Sequence, residues 1–205
     1  MPEFFTSIYQ QFLATSALEW LATLSGFFCV YLAARQNILN WPISIISVCT
    51  YAYIFFHNKL YGDAVLQLYF LSTAIYGWYY WKAANHATGA VIKKFNRKQM
   101  LITLVATLVL ALSLGSLLRS FTDTDVPYID GLCTAISFVA QFLMTRKVLQ
   151  NWLMWVFVDI CYIPLYLHKD LLLTAVLYIA FTIIAWNGYR DWRKTYNKTQ
   201  NSIEQ

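Results

Sequence analysis

Residues 151–168 read NWLMWVFVDICYIPLYLH. In helical register Asn151, Trp155, Asp159, Tyr162 and Tyr166 recur at steps of three and four, and Trp152 joins the same stripe three residues before Trp155. An amide, two indoles, a carboxylate and two phenols therefore share one face of an otherwise hydrocarbon-like segment. A carboxylate in such a setting is costly unless it faces a partner or a water-filled cavity, so the stripe reads as a small-molecule site inside a membrane protein. Taken singly, each aromatic could equally be packing or an interfacial anchor, because Trp and Tyr gather at membrane surfaces.

The stretch has an echo. Residues 40–57 read NWPISIISVCTYAYIFFH, and sliding residues 19–81 by 111 positions aligns them without a gap to 130–192, with 17 identities in 63 pairs. The identities include Thr23/Thr134, Arg35/Arg146, Asn40/Asn151, Trp41/Trp152, Tyr51/Tyr162, His57/His168, Leu60/Leu171, Phe70/Phe181, Gly77/Gly188 and Trp81/Trp192. Shared apolar composition would raise matches at Leu or Val, but not at paired Asn-Trp, His, Gly and Arg, so the chain is an internal duplication. Where the copies differ, Trp155, Asp159 and Tyr166 stand opposite Ser44, Val48 and Phe55, Gln67 opposite Tyr178, and Asn187 opposite Tyr76. Symmetric residues read as scaffold and asymmetric polar ones as recognition.

The 205 residues are 59% hydrophobic and 12% charged, with a mean hydropathy of +0.48, a balance that soluble domains rarely show. Seven segments are long and apolar enough to suggest spans of a hydrocarbon core about 30 Å thick: 17–34, 39–57, 62–81, 100–118, 128–145, 151–167 and 171–189. The expected fold is an all-α integral membrane protein organised as a first three-helix repeat (17–81), a basic loop with a linker helix (82–127, helix 100–118), a second three-helix repeat (128–192) and a polar cytoplasmic tail (193–205), expected to be partly disordered. Three spans plus one linker return the chain to its starting side, so the repeats are parallel, a 3+1+3 plan that places the substrate site between the halves. With the N-terminus outside, twelve basic residues fall inside and three, Lys59, Arg119 and Lys169, outside. That asymmetry favours N-out, C-in.

At about 1.5 Å per residue, Trp155 lies about 6 Å and Asp159 about 12 Å beyond Asn151. Asn187, in the last span, is expected at the level of Trp152 and Trp155, where it could bond a flat aromatic amide held between indoles. Gln67 is expected to reach the other end of an elongated ligand. Interhelical hydrogen bonding is the plainer alternative for both amides. Tyr162, Asn151 and Trp41 complete the candidate site. Gly77 and Gly188, each four residues before a tryptophan, read as points of close helix approach, His57 and His168 as interfacial or capping groups, and Glu19 and Asp130 as solvated span starts.

Cys29, Cys49, Cys133 and Cys161 all lie in apolar segments and imply no disulfide framework. The first residues lack the basic start of a signal peptide. No HExxH, GxSxG, Walker-type or CxxC pattern occurs, so no enzyme, metal site or cofactor is expected. The net charge of +5 is spread over connecting segments, which argues against nucleic acid as a partner.

Three stretches in order, Asn151-Trp152-Leu153-Met154-Trp155, Leu60-Tyr61 through Leu66-Gln67 to Tyr76-Gly77-Trp78 and Trp81, and Asn187-Gly188 to Trp192, resemble the PnuC family of bacterial vitamin transporters. The resemblance covers nearly all of 17–192. It implies a seven-helix fold similar to that of the sugar-transporting SWEET proteins, a homotrimer in the lipid bilayer of the inner (cytoplasmic) membrane, and uptake of nicotinamide riboside by facilitated diffusion, driven by phosphorylation by a separate cytoplasmic kinase. A thiamine-type relative, PnuT, makes thiamine the alternative substrate by the same mechanism. The same resemblance matches Trp152 and Trp155 to the family's Trp-x-x-Trp, and Gln67 and Asn187 to polar positions near its ligand. It assigns Asp159 nothing. A receptor that binds a ligand without moving it is the rival from another class.

Overall fold

The computed structural model describes residues 2–57, 61–87, 91–122, 124–168 and 172–203; Lys59, Lys169 and the Leu60/Leu171 pair lie outside them. Eight helices follow one another among the described residues: α1 (Pro2–Ala14), α2 (Ala17–Ala34), α3 (Asn40–His57), α4 (Tyr61–Ala87), α5 (Arg97–Phe121), α6 (Pro127–Thr145), α7 (Asn151–His168) and α8 (Leu172–Ile203). Local chemistry sets their starts. Ser16 and Glu19 form a capping box at α2, so Glu19 does more than meet solvent, and Asn96 with Gln99 does the same for α5. Pro127 opens α6, where its missing N–H costs nothing.

Among the described residues four helices, α2, α5, α6 and α8, are long and apolar enough to cross a membrane by length and composition. On α5, Leu101, Leu104, Val105, Leu108, Val109 and Leu112 are all more than half exposed or close to it. An apolar helix with so much uncovered hydrocarbon matches a lipid environment rather than water. Its other face packs closely on α6, where a side chain at Gly131 would run into the Gly115 backbone at 2.5 Å.

Two elements depart from expectation. The chain starts with α1, too short to span a bilayer; it docks on the start of α8, where the Gln11 side chain accepts from the Leu173 N–H at 3.0 Å, and Phe12 meets Trp20. The segment after Arg190, expected to be partly disordered, continues α8 as far as Ile203. Trp192 is buried and Tyr196 packs against the core, so two aromatics anchor a stretch that has no Gly or Pro to end the helix.

The duplication is visible contact by contact. Both α2 and α6 end in the same turn, with Gln36 and Lys147 left-handed at φ 55° and 52°. Gln36 N–H donates to Ala33 O and Asn37 N–H to Leu32 O; Lys147 N–H donates to Met144 O and Val148 N–H to Leu143 O. At the next helix starts, the Asn40 and Asn151 amides donate to the carbonyls of Asn37 and Val148. Trp41 and Trp152 then lie on Gly77 and Gly188, where a Cβ would fall 2.3 Å and 2.9 Å from the rings. Close approach at these glycines thus serves a tryptophan ring rather than a bare helix crossing.

Contacts between the halves come in equivalent pairs as well. Trp81 Nε1 donates to Thr145 O, and Trp192 Nε1 to Ala33 O and Ala34 O; Thr145 occupies the position that Ala34 has in the first half. Phe70 meets Phe138 at 6.1 Å, and Phe181 meets Phe27 at 6.2 Å. Trp41, Trp81, Trp192 and Trp152 form a continuous chain of ring contacts, with both end pairs edge-to-face. The loop before α5 closes this end further: Lys93 exchanges backbone hydrogen bonds with Lys147 and Leu149, and the Gln150 amide pairs with the Phe95 backbone.

Candidate functional site between the halves

A cavity of about 370 Å3 lies between the two halves, lined by residues of α2, α3, α4, α6, α7 and α8. One end is floored by the buried Trp41 and Trp152, backed by Trp81 and Trp192. Toward the other end stand Tyr162 and Tyr178, which with Tyr166 form a triangle of rings 4.9–5.7 Å apart. Gln67, Trp155 and Asp159 line the wall between these ends.

Six of the eight expected site residues therefore come together: Trp41, Gln67, Trp152, Trp155, Asp159 and Tyr162. Two do not. Asn187 is exposed and does not line the cavity. It follows the lining residue Ala185 by two positions, which on a helix is about 200° of rotation, so the right depth comes with the wrong face. Asn151 is fully buried but behind the wall: its amide caps the α6–α7 turn, as Asn40 does at the matching turn.

The cavity also recruits polar groups that the stripe argument passed over, namely Gln141, Thr134, Ser137, Asn40, Ser44 and Tyr178. Gln141 was within reach of sequence reasoning, because the 111-residue offset sets it against Val30. It is another asymmetric polar residue. Tyr178, the counterpart of Gln67 at the same offset, lines the cavity from the opposite half.

The electrostatics are one-sided. Among the described residues, Asp159, 6% exposed, is the sole charged side chain in the lining, and no Lys, Arg or His lines the cavity. Two buried donors, the indole N–H groups of Trp41 and Trp152, and the acceptor Asn151 Oδ1 have no hydrogen-bond partner among the described residues. Basic groups gather at the tryptophan end, outside the cavity: Arg146 donates to the Tyr76 hydroxyl at 2.6 Å and lies over Tyr80, and the buried Lys147 ammonium sits 4.3 Å from the Trp81 ring centre. Burial pushes that ammonium down to about 8. Among the described residues no group of three His, Cys, Asp or Glu could hold a metal. The arrangement suits a flat ring stacked on indole, amide hydrogen bonds along its length and a carboxylate beside it.

Apolar, lipid-compatible helices and a cavity of small-molecule size walled by six helices define a class: a multi-pass membrane protein with a solute-sized cavity between two helical halves. The model of the nicotinamide mononucleotide transporter family matches residues 16–194, and the chain belongs to that family. It is 29% identical over 203 residues to the nicotinamide riboside transporter PnuC of Escherichia coli K12, covering 86% of this chain and 85% of that one. A crystal structure of the vitamin B3 transporter PnuC superposes with a TM-score of 0.74 at 25% identity, covering 95% of this chain and 90% of that chain. The riboflavin/roseoflavin transporter RibM of Streptomyces davaonensis is 23% identical over 180 residues, covering 85% and 83%.

Proposed function

We propose that the protein takes up nicotinamide riboside across the bacterial inner membrane by facilitated diffusion. The observation that carries this reading is the cavity between the halves, with Trp152 and Trp155 on its wall, Gln67 and Gln141 able to bond amide and ribose, and no basic side chain in the lining among the described residues. A phosphorylated nucleotide would want a Lys or Arg there, so the riboside suits the site better than the mononucleotide of the family's name. Similarity to riboside transporters over most of the chain supports the same choice.

The full proposal is a seven-span protein in a parallel 3+1+3 repeat like that of SWEET proteins, with α1 lying outside the count, the N-terminus outside and the C-terminus in the cytoplasm. Rocking of one three-helix half against the other would open the cavity to each side in turn. Three copies form the working unit, and a separate kinase that phosphorylates the riboside inside the cell keeps the gradient inward. Thiamine, also a cationic aromatic, is the second substrate that the lining accommodates.

Proteoliposomes test the reading. Radiolabelled nicotinamide riboside should equilibrate across the membrane without a proton or sodium gradient, and should accumulate only when a riboside kinase and ATP are sealed inside. Accumulation without the kinase would refute uncoupled transport. Tight binding with no flux would favour the receptor.

A further inference from the structure

We infer that Asp159 is a charge filter: the carboxylate makes a delocalised positive charge on the ring a requirement of the ligand, not merely flatness and an amide. The inference rests on the transport reading above and concerns the same cavity. Its first support is that the scaffold does without the group. Val48 fills the equivalent position of the first half, and the contacts that hold the halves together, from the Asn turns to the tryptophan chain, involve neither residue. A buried carboxylate with no structural task would be lost at no cost to the fold, and keeping it costs desolvation.

The second support is the surroundings. Among the described residues every other lining side chain is neutral, and the polar ones nearest in register, Tyr162 one turn on and Tyr178 across from it, cannot supply a positive charge. The cations of the tryptophan end are engaged elsewhere, Arg146 with Tyr76 and Tyr80, and Lys147 over Trp81. The third support is spacing. Asp159 follows Trp155 by one helical turn on the same face, about 6 Å along the axis, which puts a ring stacked at Trp155 on the carboxylate's side of the cavity. At that distance and partial burial, a unit charge pair is worth a tenfold change in affinity or more. A cationic ring on indole gains further from the ring faces themselves. A neutral flavin would leave the carboxylate unpaired.

The test compares isosteric pairs that differ in ring charge, by calorimetry on the full-length protein in detergent. Nicotinamide riboside and its neutral 1,4-dihydro form share ribose, amide and near-planar ring; thiamine and its neutral thiophene analogue form the second pair. The wild-type protein should bind the cationic member of its pair at least about tenfold more tightly. Asp159→Asn should remove that preference by weakening the cation alone. Retained affinity for the neutral member shows that the variant is folded; if it fails to fold, the wild-type pair still decides. Equal wild-type binding of the two nicotinamide ligands would overturn the charge filter and leave the transport reading standing. Charge-selective binding of thiamine without nicotinamide riboside would keep the charge filter and overturn the riboside as substrate, and binding of neither cation would sink both.

Discussion

The first and second halves share a skeleton and differ in what they show the cavity. At the tryptophan end they are nearly interchangeable: the same left-handed turn, the same Asn hydrogen bond, the same Trp on Gly, the same indole donating across to the opposite half. Along the wall they diverge, with Val30 and Ser44 in one half where Gln141 and Trp155 stand in the other, and the lining Asp159 has Val48, which is not among the lining residues, as its counterpart. The difference separates two kinds of constraint. Residues that join the halves must match, because each contact is made twice; residues that read an asymmetric ligand must not, because a small solute cannot present the same face to both sides.

The shared skeleton can be broken most severely at its glycines. Gly77→Ala puts a methyl 2.3 Å from the Trp41 ring, which the edge-on contact with Trp81 keeps from moving aside. We expect about 2–3 kcal/mol of destabilisation, read as a lower melting temperature in detergent. At Gly188 the nearest Trp152 atoms are 2.9–3.0 Å from a built Cβ, so Gly188→Ala should cost less, about 1 kcal/mol. The reverse order would mean that the ring over Gly77 has room to shift, and that the two halves are less alike than their contacts.

The divergent wall gives the next largest effect. Trp155→Ala should weaken nicotinamide riboside binding by about 2 kcal/mol, more than tenfold, because a buried stacking partner is removed. Ser44→Ala, at the equivalent place in the first half, should change affinity less than about twofold. Melting temperature in the unliganded protein is the control for both. Comparable losses would return Trp155 to a packing role and make the cavity symmetric in function.

Much of this was legible in the sequence because the duplication labels residues by their task. Asn40/Asn151, Trp41/Trp152, Gly77/Gly188 and Trp81/Trp192 stood out as identities at one fixed offset, and all serve the skeleton, with Asn40, Trp41 and Trp152 lining the cavity as well. Of the helical stripe, Trp152, Trp155, Asp159 and Tyr162 line the cavity, whereas Asn151 is taken up by the turn and Tyr166 stands behind Tyr162 and Tyr178. Asn187 shows the limit: depth follows from counting residues, but facing depends on which side of α8 the neighbours occupy. Gln141 was hidden in an apolar run where composition outweighed one amide. The α1 helix and the polar end of α8 carried no span-length hydrophobic pattern, and their order comes from tertiary anchors, Gln11 on Leu173 and Trp192 with Tyr196 in the core. The pairing of Lys93 with the α6–α7 turn has no local signal at all.

That turn supplies the smallest and most pointed comparison. Gln36 and Lys147 hold the same left-handed backbone at φ 55° and 52°, yet one side chain is neutral and the other is a buried ammonium against Trp81, held down to about 8. An unfolded lysine titrates near 10.4. Below pH 8 both states carry the proton, so the folded state bears the whole cost of burying the charge. Between about 8 and 10.4 the unfolded state binds more protons, and stability must rise with pH through that window. We expect a gain of about 1 kcal/mol between pH 7 and pH 9, measured as an upward shift of the melting curve. Lys147→Gln, which copies the first half into the second, should flatten that rise. If wild type and variant kept parallel pH profiles, the Lys147 ammonium would have to reach water, and the charge at this turn would be as dispensable to folding as its replacement by Gln36 in the first half suggests.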